Sequence, residues 1–181
     1  MKKILLLGIC MAFVACQQKK EAVVAQEMPF FVFDAVDYYH LDIKQQAVDS
    51  IAMKADKTNK ELALMQILQQ RIPVSTIDTL FINNMEILAF DKMRLDSKMY
   101  KELGQLFVKQ TVENPSYPSC EPIYRDVLIF RKKDKVIGVA KLDFDCGRSA
   151  IVGARYDASL FGQSGEYVKL QHLLRSLKTA L

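Results

Sequence analysis

From Phe30 to Ile43 (FFVFDAVDYYHLDI) the odd positions Phe31, Phe33, Ala35, Tyr39, Leu41 and Ile43 are nearly all apolar. Alternation of this kind, in a stretch rich in aromatic and β-branched residues, predicts a strand over about 30–43 with one face toward a core. The even positions Asp34, His40 and Asp42 then line its wet face. After Lys44 the period changes. Val48, Ile51, Ala52 and Ala55 recur at helical spacing, and Thr58-Asn59-Lys60-Glu61 is a capping box opening ELALMQILQQR, which Pro73 stops. Ser75 to Asp78 begins a short helix through Phe81. Asp96 or Ser97 begins another that carries Tyr100, Leu103, Leu106 and Phe107, with Gly104 inside it.

The second half returns to alternation. Ile123 to Arg131 (IYRDVLIFR) and Lys135 to Asp145 (KVIGVAKLDFD), separated by a short polar break, predict a hairpin over about 123–145. A further strand follows at about 150–155, then a loop (FGQSG). An amphipathic helix over about Gly165 to Thr179 places Tyr167, Leu170, Leu174 and Leu177 at three- and four-residue steps, with Ser164 as its cap. The segment from Pro115 to Pro122 is a proline-rich loop. Several helices packed on a small, mostly antiparallel sheet define an α+β fold. Without repeats or an internal linker, residues 29–181 read as a single globular domain.

Composition narrows the picture. At 50% hydrophobic and 25% charged, the chain has apolar material for a core and is not a disordered type. The formal charge of +4 falls to about +2 without Lys2 and Lys3, too little to argue for nucleic acid. Arg131, Lys132, Lys133 and Lys135 gather around Asp134 and read as a solvated turn rather than a polyanion patch.

The first sixteen residues follow a third pattern: Met1-Lys2-Lys3, an uncharged apolar run from Ile4 to Ala15, then Cys16 and the polar Gln17-Gln18-Lys19-Lys20-Glu21. As a helix that run would reach about 18 Å, short of the roughly 30 Å hydrocarbon core, so it is no stable membrane span by itself. The segment Phe13-Val14-Ala15-Cys16 resembles the lipobox of bacterial lipoprotein signal peptides, departing from it at Phe13, where leucine is usual. The resemblance implies a signal peptide over 1–15, cleavage before Cys16, and palmitate-type acyl chains on Cys16. Residues 16–28 are then a lipidated tether, and the membrane is the first partner. Because each buried methylene adds roughly 0.8 kcal/mol, one chain binds marginally while two or three hold firmly. Gln17, in place of aspartate, resembles sorting toward an outer membrane, which puts the chain in the cell envelope. The alternative, an ordinary secretory signal with Cys16 buried or disulfide-bonded, predicts a soluble product. Beyond the leader the chain resembles small lipoproteins of Bacteroidota-type bacteria, a resemblance that carries an address and no mechanism.

With Cys10 in the leader and Cys16 acylated, Cys120 and Cys146 remain in an oxidising compartment. A hairpin turn centred on Lys133 puts them directly opposite each other, and a centre between Lys133 and Asp134 shifts this by one. Either register brings them within reach of a disulfide. Cys120, Tyr124, Leu128, Phe130, Leu142, Phe144 and Cys146 also share parity. Two reduced buried thiols, or a catalytic cysteine, are the alternatives.

Catalytic proposals are few. His172 would be the base for a cysteine nucleophile, but it points about 160° from the apolar face of its helix, into solvent. His40 with Asp34 and Asp42 suggests a metal or an acid–base pair, against the simpler reading of a wet strand face. Asp143 and Asp145, sharing a face with Lys141, suggest paired carboxylates, against a solvent-facing strand edge. FGQSGE lacks the spacing of a nucleophile elbow, and no phosphate loop, C-x-x-C or H-E-x-x-H occurs. With no catalytic constellation, metal site or cofactor motif to name, the expectation is a membrane-anchored lipoprotein acting by protein or small-ligand binding, with an envelope protein as a possible partner. The alternatives are an envelope hydrolase with an unrecognised active site and an immunity or inhibitor lipoprotein.

Overall fold

The structure is a computed structural model and describes residues 28–70 and 72–178. The leader, Cys16 and the tether up to residue 27 lie outside the described residues. Within them, β1 (Ala35–His40), β2 (Asp91–Arg94), β3 (Asp126–Lys132), β4 (Lys135–Asp143) and β5 (Arg148–Val152) form one antiparallel sheet in the order β2-β1-β3-β4-β5. The helices are α1 (Gln45–Ala52), α2 (Asn59–Gln69), α3 (Leu80–Ile87), α4 (Tyr100–Leu106) and α5 (Glu166–Lys178). The fold is α+β, as the hydrophobic pattern predicts.

Helices cover both faces of the sheet. On one, Val48 of α1, Met65, Ile67 and Leu68 of α2 and Phe81, Ile82 and Met85 of α3 pack with Tyr39, Val127, Ile129 and Val139. On the other, Leu103 and Leu106 of α4 and Leu170, Leu173 and Leu174 of α5 pack with Val36, Tyr38, Leu128, Phe130 and Leu142. This corrects the wet even face expected of the first strand. Val36 and Tyr38 are buried on that face, because a second helical layer covers it. The strand is also shorter than 30–43. Residues 30 and 31 leave the sheet and bury their rings, the Phe30 amide donating to the Phe107 carbonyl at 2.8 Å. Phe31 stacks on Phe130 at 4.2 Å over Gly138, the position in β4 where a Cβ would strike the Phe31 ring.

Local signals explain most boundaries. The Thr58 hydroxyl accepts from the Glu61 amide at 3.2 Å while the Glu61 carboxylate accepts from the Thr58 amide at 2.9 Å, so the capping box opens α2. The helix stops at Gln69, ahead of Pro73. The short helix expected over 75–81 is instead a turn in which the Ser75 hydroxyl takes the Ile77 amide, and α3 starts at Leu80. The Asp96 side chain accepts from the Lys98 amide at 2.9 Å and opens a single 3-10 turn, Ser97–Met99, that runs into α4. At the start of α5 the expected cap is reversed: the Glu166 carboxylate accepts from the Ser164 amide at 2.9 Å.

The hairpin turn falls between Lys133 and Asp134, both with positive φ (48° and 62°), the type I′ geometry that suits strand twist. Lys132 faces Lys135, and beyond a bulge Phe130 faces Gly138. That bulge shifts the register by one more residue, and regular pairing ends at Asp126. Continued ideally it would set Cys120 opposite Arg148, but the irregular chain before β3 brings it to Cys146. The two cysteines are disulfide-bonded with Cα atoms 6.0 Å apart, closing a loop of 26 residues.

Candidate functional site

Two recesses concentrate polar groups, one where β1 ends beside the start of β3 and one along β5. The first grows from strand register. His40 lies directly opposite Asp126 in the β1–β3 ladder. Tyr38, two residues earlier, shares the His40 side of the strand. Both side chains therefore reach the same carboxylate: Tyr38 Oη donates to Asp126 Oδ1, and His40 Nδ1 lies 2.8 Å from that oxygen. An ionised Asp126 can only accept, so His40 presents its Nδ1 proton there and keeps Nε2 as its second functional atom. Burial, followed by the adjacent Asp126 charge, holds the Tyr38 phenol far above its usual pKa, so it stays a neutral donor.

Around this trio Ile123, Phe144 and Leu174 supply apolar walls, and Arg125, Asp143, Asp145, Gln171 and Arg175 complete the lining of a pocket of about 180 Å³. Arg125 is anchored by its Nε to the Ile43 carbonyl at 2.9 Å, and its Nη1 reaches Asp145 Oδ2 at 3.2 Å. Asp143 is buried and accepts from the amides of Ile123 (2.7 Å), Asp145 (3.0 Å) and Cys146 (3.2 Å). It organises the turn after β4 instead of facing solvent at a strand edge.

The second recess is a groove of about 720 Å³ beside β5. It touches Arg148, Ser149, Ala150 and Ile151, four consecutive residues of one strand. Because alternate residues point to opposite faces, a groove that meets all four runs along the strand's free edge, where backbone amides and carbonyls project. Gln69 at the end of α2 enters from one helical layer, and Phe161 and Tyr167 enter from the other. The remaining wall is the loop from Tyr117 to Tyr124, held by the disulfide, by Arg148 Nη1 to the Pro118 carbonyl (2.8 Å), and by Gln163 bonded to both backbone groups of Ser116. Burial raises the Tyr167 phenol to about 12.

The residues singled out from sequence fare unevenly. Asp34 accepts from the Lys133 amide at 2.9 Å, so Asp34, His40 and Asp42 do not converge on a site. Among the described residues, no group of three His, Cys, Asp or Glu could hold a metal ion. His172 is exposed on α5, and Cys120 and Cys146 are spent on each other, so there is no thiol–imidazole pair among the described residues. Lys141 is the largest correction. It is only 1% exposed, with Nζ bonded to the carbonyls of Gln70 (2.5 Å) and Ile72 (2.9 Å) and 4.7 Å from the centre of the Tyr124 ring. Its face of the sheet is covered by α1 to α3, and burial pushes its amine down to about 7. Asp126, Tyr38 and Arg125 went unremarked. Asp126 did carry a signal, a charged residue sharing parity with Leu128 and Phe130 on the core face.

Comparison with known proteins yields no matching family model, no matching curated protein and no matching solved structure, so the site is read from its own geometry.

Proposed function

We propose that this chain is a lipid-anchored protein of a bacterial cell envelope that works by recognition, gripping an extended segment of a partner protein along β5. One observation carries the recognition half: the groove abuts four consecutive residues of an edge strand. A ligand meeting such an edge gains most when its own backbone repeats every second residue, as an added β-strand does. Tyr117 and Tyr167 offer ring surfaces beside that edge for side chains of the ligand. The anchoring half rests on the lipobox-like segment ending at Cys16.

Intact mass and detergent partitioning of the chain from a membrane fraction are expected to show acylation at Cys16, and a soluble unmodified product would end the anchoring reading. For recognition, random extended peptides are selected against the full chain in detergent. Bound peptides are expected to slow amide hydrogen exchange in residues 148–152 and to lose binding when alternate peptide amides are N-methylated. Protection elsewhere, or indifference to methylation, refutes strand addition.

One observation favours a second reading, an envelope hydrolase. The His40–Asp126 pair has the arrangement of a base with its orienting carboxylate, leaving Nε2 to take a proton. Among the described residues no serine, threonine or cysteine lines that pocket, so the nucleophile would be water. Turnover of an ester, amide or phosphoester panel that disappears in His40→Gln supports this reading over the first.

A further inference from the structure

We propose that the pocket beside His40 is an oxyanion site that takes one carboxylate or phosphate group of a small solute, with Asp145 as a built-in competitor. The inference is independent of the groove along β5.

The argument is an inventory of which charges are already spent. Asp126 is occupied by Tyr38 and His40, and Asp143 by three backbone amides. Both contacts on Asp126 fall on Oδ1, while both oxygens of Asp143 are engaged by the amides. The donors are differently placed. Arg175 and Gln171, one turn apart on α5, both line the pocket, and their side chains make no hydrogen bond or ion pair with the described residues. His40 Nε2 is left over once Nδ1 is committed to Asp126.

Arg125 supplies the fixed point. Its side chain is only 16% exposed and its Nε is tied to a main-chain carbonyl, so the guanidinium plane is set before any ligand arrives. Its Nη1 faces two carboxylates, the buried Asp143 at 3.9 Å and, closer at 3.2 Å, Asp145, whose side chain is 82% exposed. The pair with Asp145 is lopsided, a held cation with a loosely held anion in water. An incoming oxyanion replaces one carboxylate by another on Arg125, so the cation's desolvation is not incurred afresh. The ligand also gains Arg175 and Gln171, which Asp145 does not engage. A pocket of about 180 Å³ admits one such group and leaves the rest of the solute outside.

The chain has two histidines, which makes the test internal: His40 lines the pocket and His172 is exposed on α5. Imidazole NMR signals of the full chain in detergent are followed while inorganic phosphate, acetate or, as a control at matched ionic strength, chloride is added. Phosphate or acetate is expected to shift His40 saturably while His172 follows ionic strength alone, and the anion that saturates lower names the preferred group. Asp145→Asn is expected to tighten the binding and Arg175→Gln to weaken it, each roughly three- to tenfold, and both changes sit on exposed side chains. A His40 response no greater than that to chloride overturns the proposal. So does unaltered affinity in either variant, or a saturable response to calcium or magnesium in place of the anions.

Discussion

The two recesses are built on opposite plans. The trio at the centre of the pocket beside His40 is placed by strand register: Tyr38 and His40 project from β1 onto Asp126 of β3, in the middle of the sheet. The groove lies at the sheet's edge, and apart from β5 and single residues of α2 and α5 its walls are loops held by a disulfide, an Arg148 contact and a Gln163 contact. Strand-borne polar groups are preorganised by the same ladder that builds the core, which suits fixed charges. Loop-borne walls adjust, which suits a ligand of variable side chains but requires separate fastening.

The largest expected effect comes from cutting that fastening. In the chain-entropy account a crosslink over 26 residues limits the unfolded ensemble enough to contribute about 3–4 kcal/mol. Replacing both Cys120 and Cys146 by serine should lower the denaturant midpoint accordingly. If the two recesses are separately supported, the loss also appears as faster proteolysis between residues 110 and 124, while the phosphate response of His40 persists in the folded protein. Equal loss of both readouts would show that the crosslink supports the sheet as a whole, and the contrast would fall.

Chemistry at the groove's inner wall gives the next effect. Lys141, beneath Tyr124, holds the carbonyls of Gln70 and Ile72, and burial brings its pKa down to about 7. An unfolded lysine titrates near 10.4, so between about pH 7 and 10 the unfolded chain keeps a proton that the folded chain has released. Stability from this group therefore rises with pH across that window and is flat below it. The pocket's Tyr38 has no such consequence near neutrality, because its folded pKa is displaced upward from an already high value. Chemical denaturation from pH 6 to 9 should show wild type gaining about 2 kcal/mol relative to Lys141→Met between pH 7 and 9, since other groups cancel in the difference. Parallel curves would mean that Lys141 is charged in the fold, with the carbonyls and the ring outweighing burial.

How far these features could be read from sequence follows the range of the interactions behind them. The Thr58–Glu61 box, the hairpin, the cysteine pair and the apolar stripe of α5 depend on neighbours a few residues away or on one local turn. The pocket depends on β1 meeting β3 across 86 residues, which no local pattern encodes. Alternation along β1 suggested one wet face because a strand's own sequence does not reveal a second helical layer, and Lys141 was misplaced for the same reason. The four residues of β2 are mostly exposed, so their pattern offered no apolar period to detect. Asp37 illustrates the gap from the other side. It is buried between Arg94 Nε (2.6 Å) and Arg131 Nε (2.8 Å), one from each neighbouring strand, a pairing visible only when three strands are assembled.

The smallest expected change in stability separates fastening from recognition. Tyr117 is 58% exposed at the groove's rim, so Tyr117→Ala should alter unfolding free energy by no more than about 0.5 kcal/mol. An aromatic ring at a strand-addition groove is nonetheless the type of residue that dominates affinity, and peptides selected against the wild type should bind the variant about tenfold more weakly. His40→Gln, in the other recess, should leave the same peptides untouched. A Tyr117 variant that unfolds more easily but binds normally would make the ring part of the loop's own packing. Peptide binding lost on substitution of His40 would mean that the two recesses act as one site, because a ligand confined to the β5 edge makes no contact with the His40 imidazole.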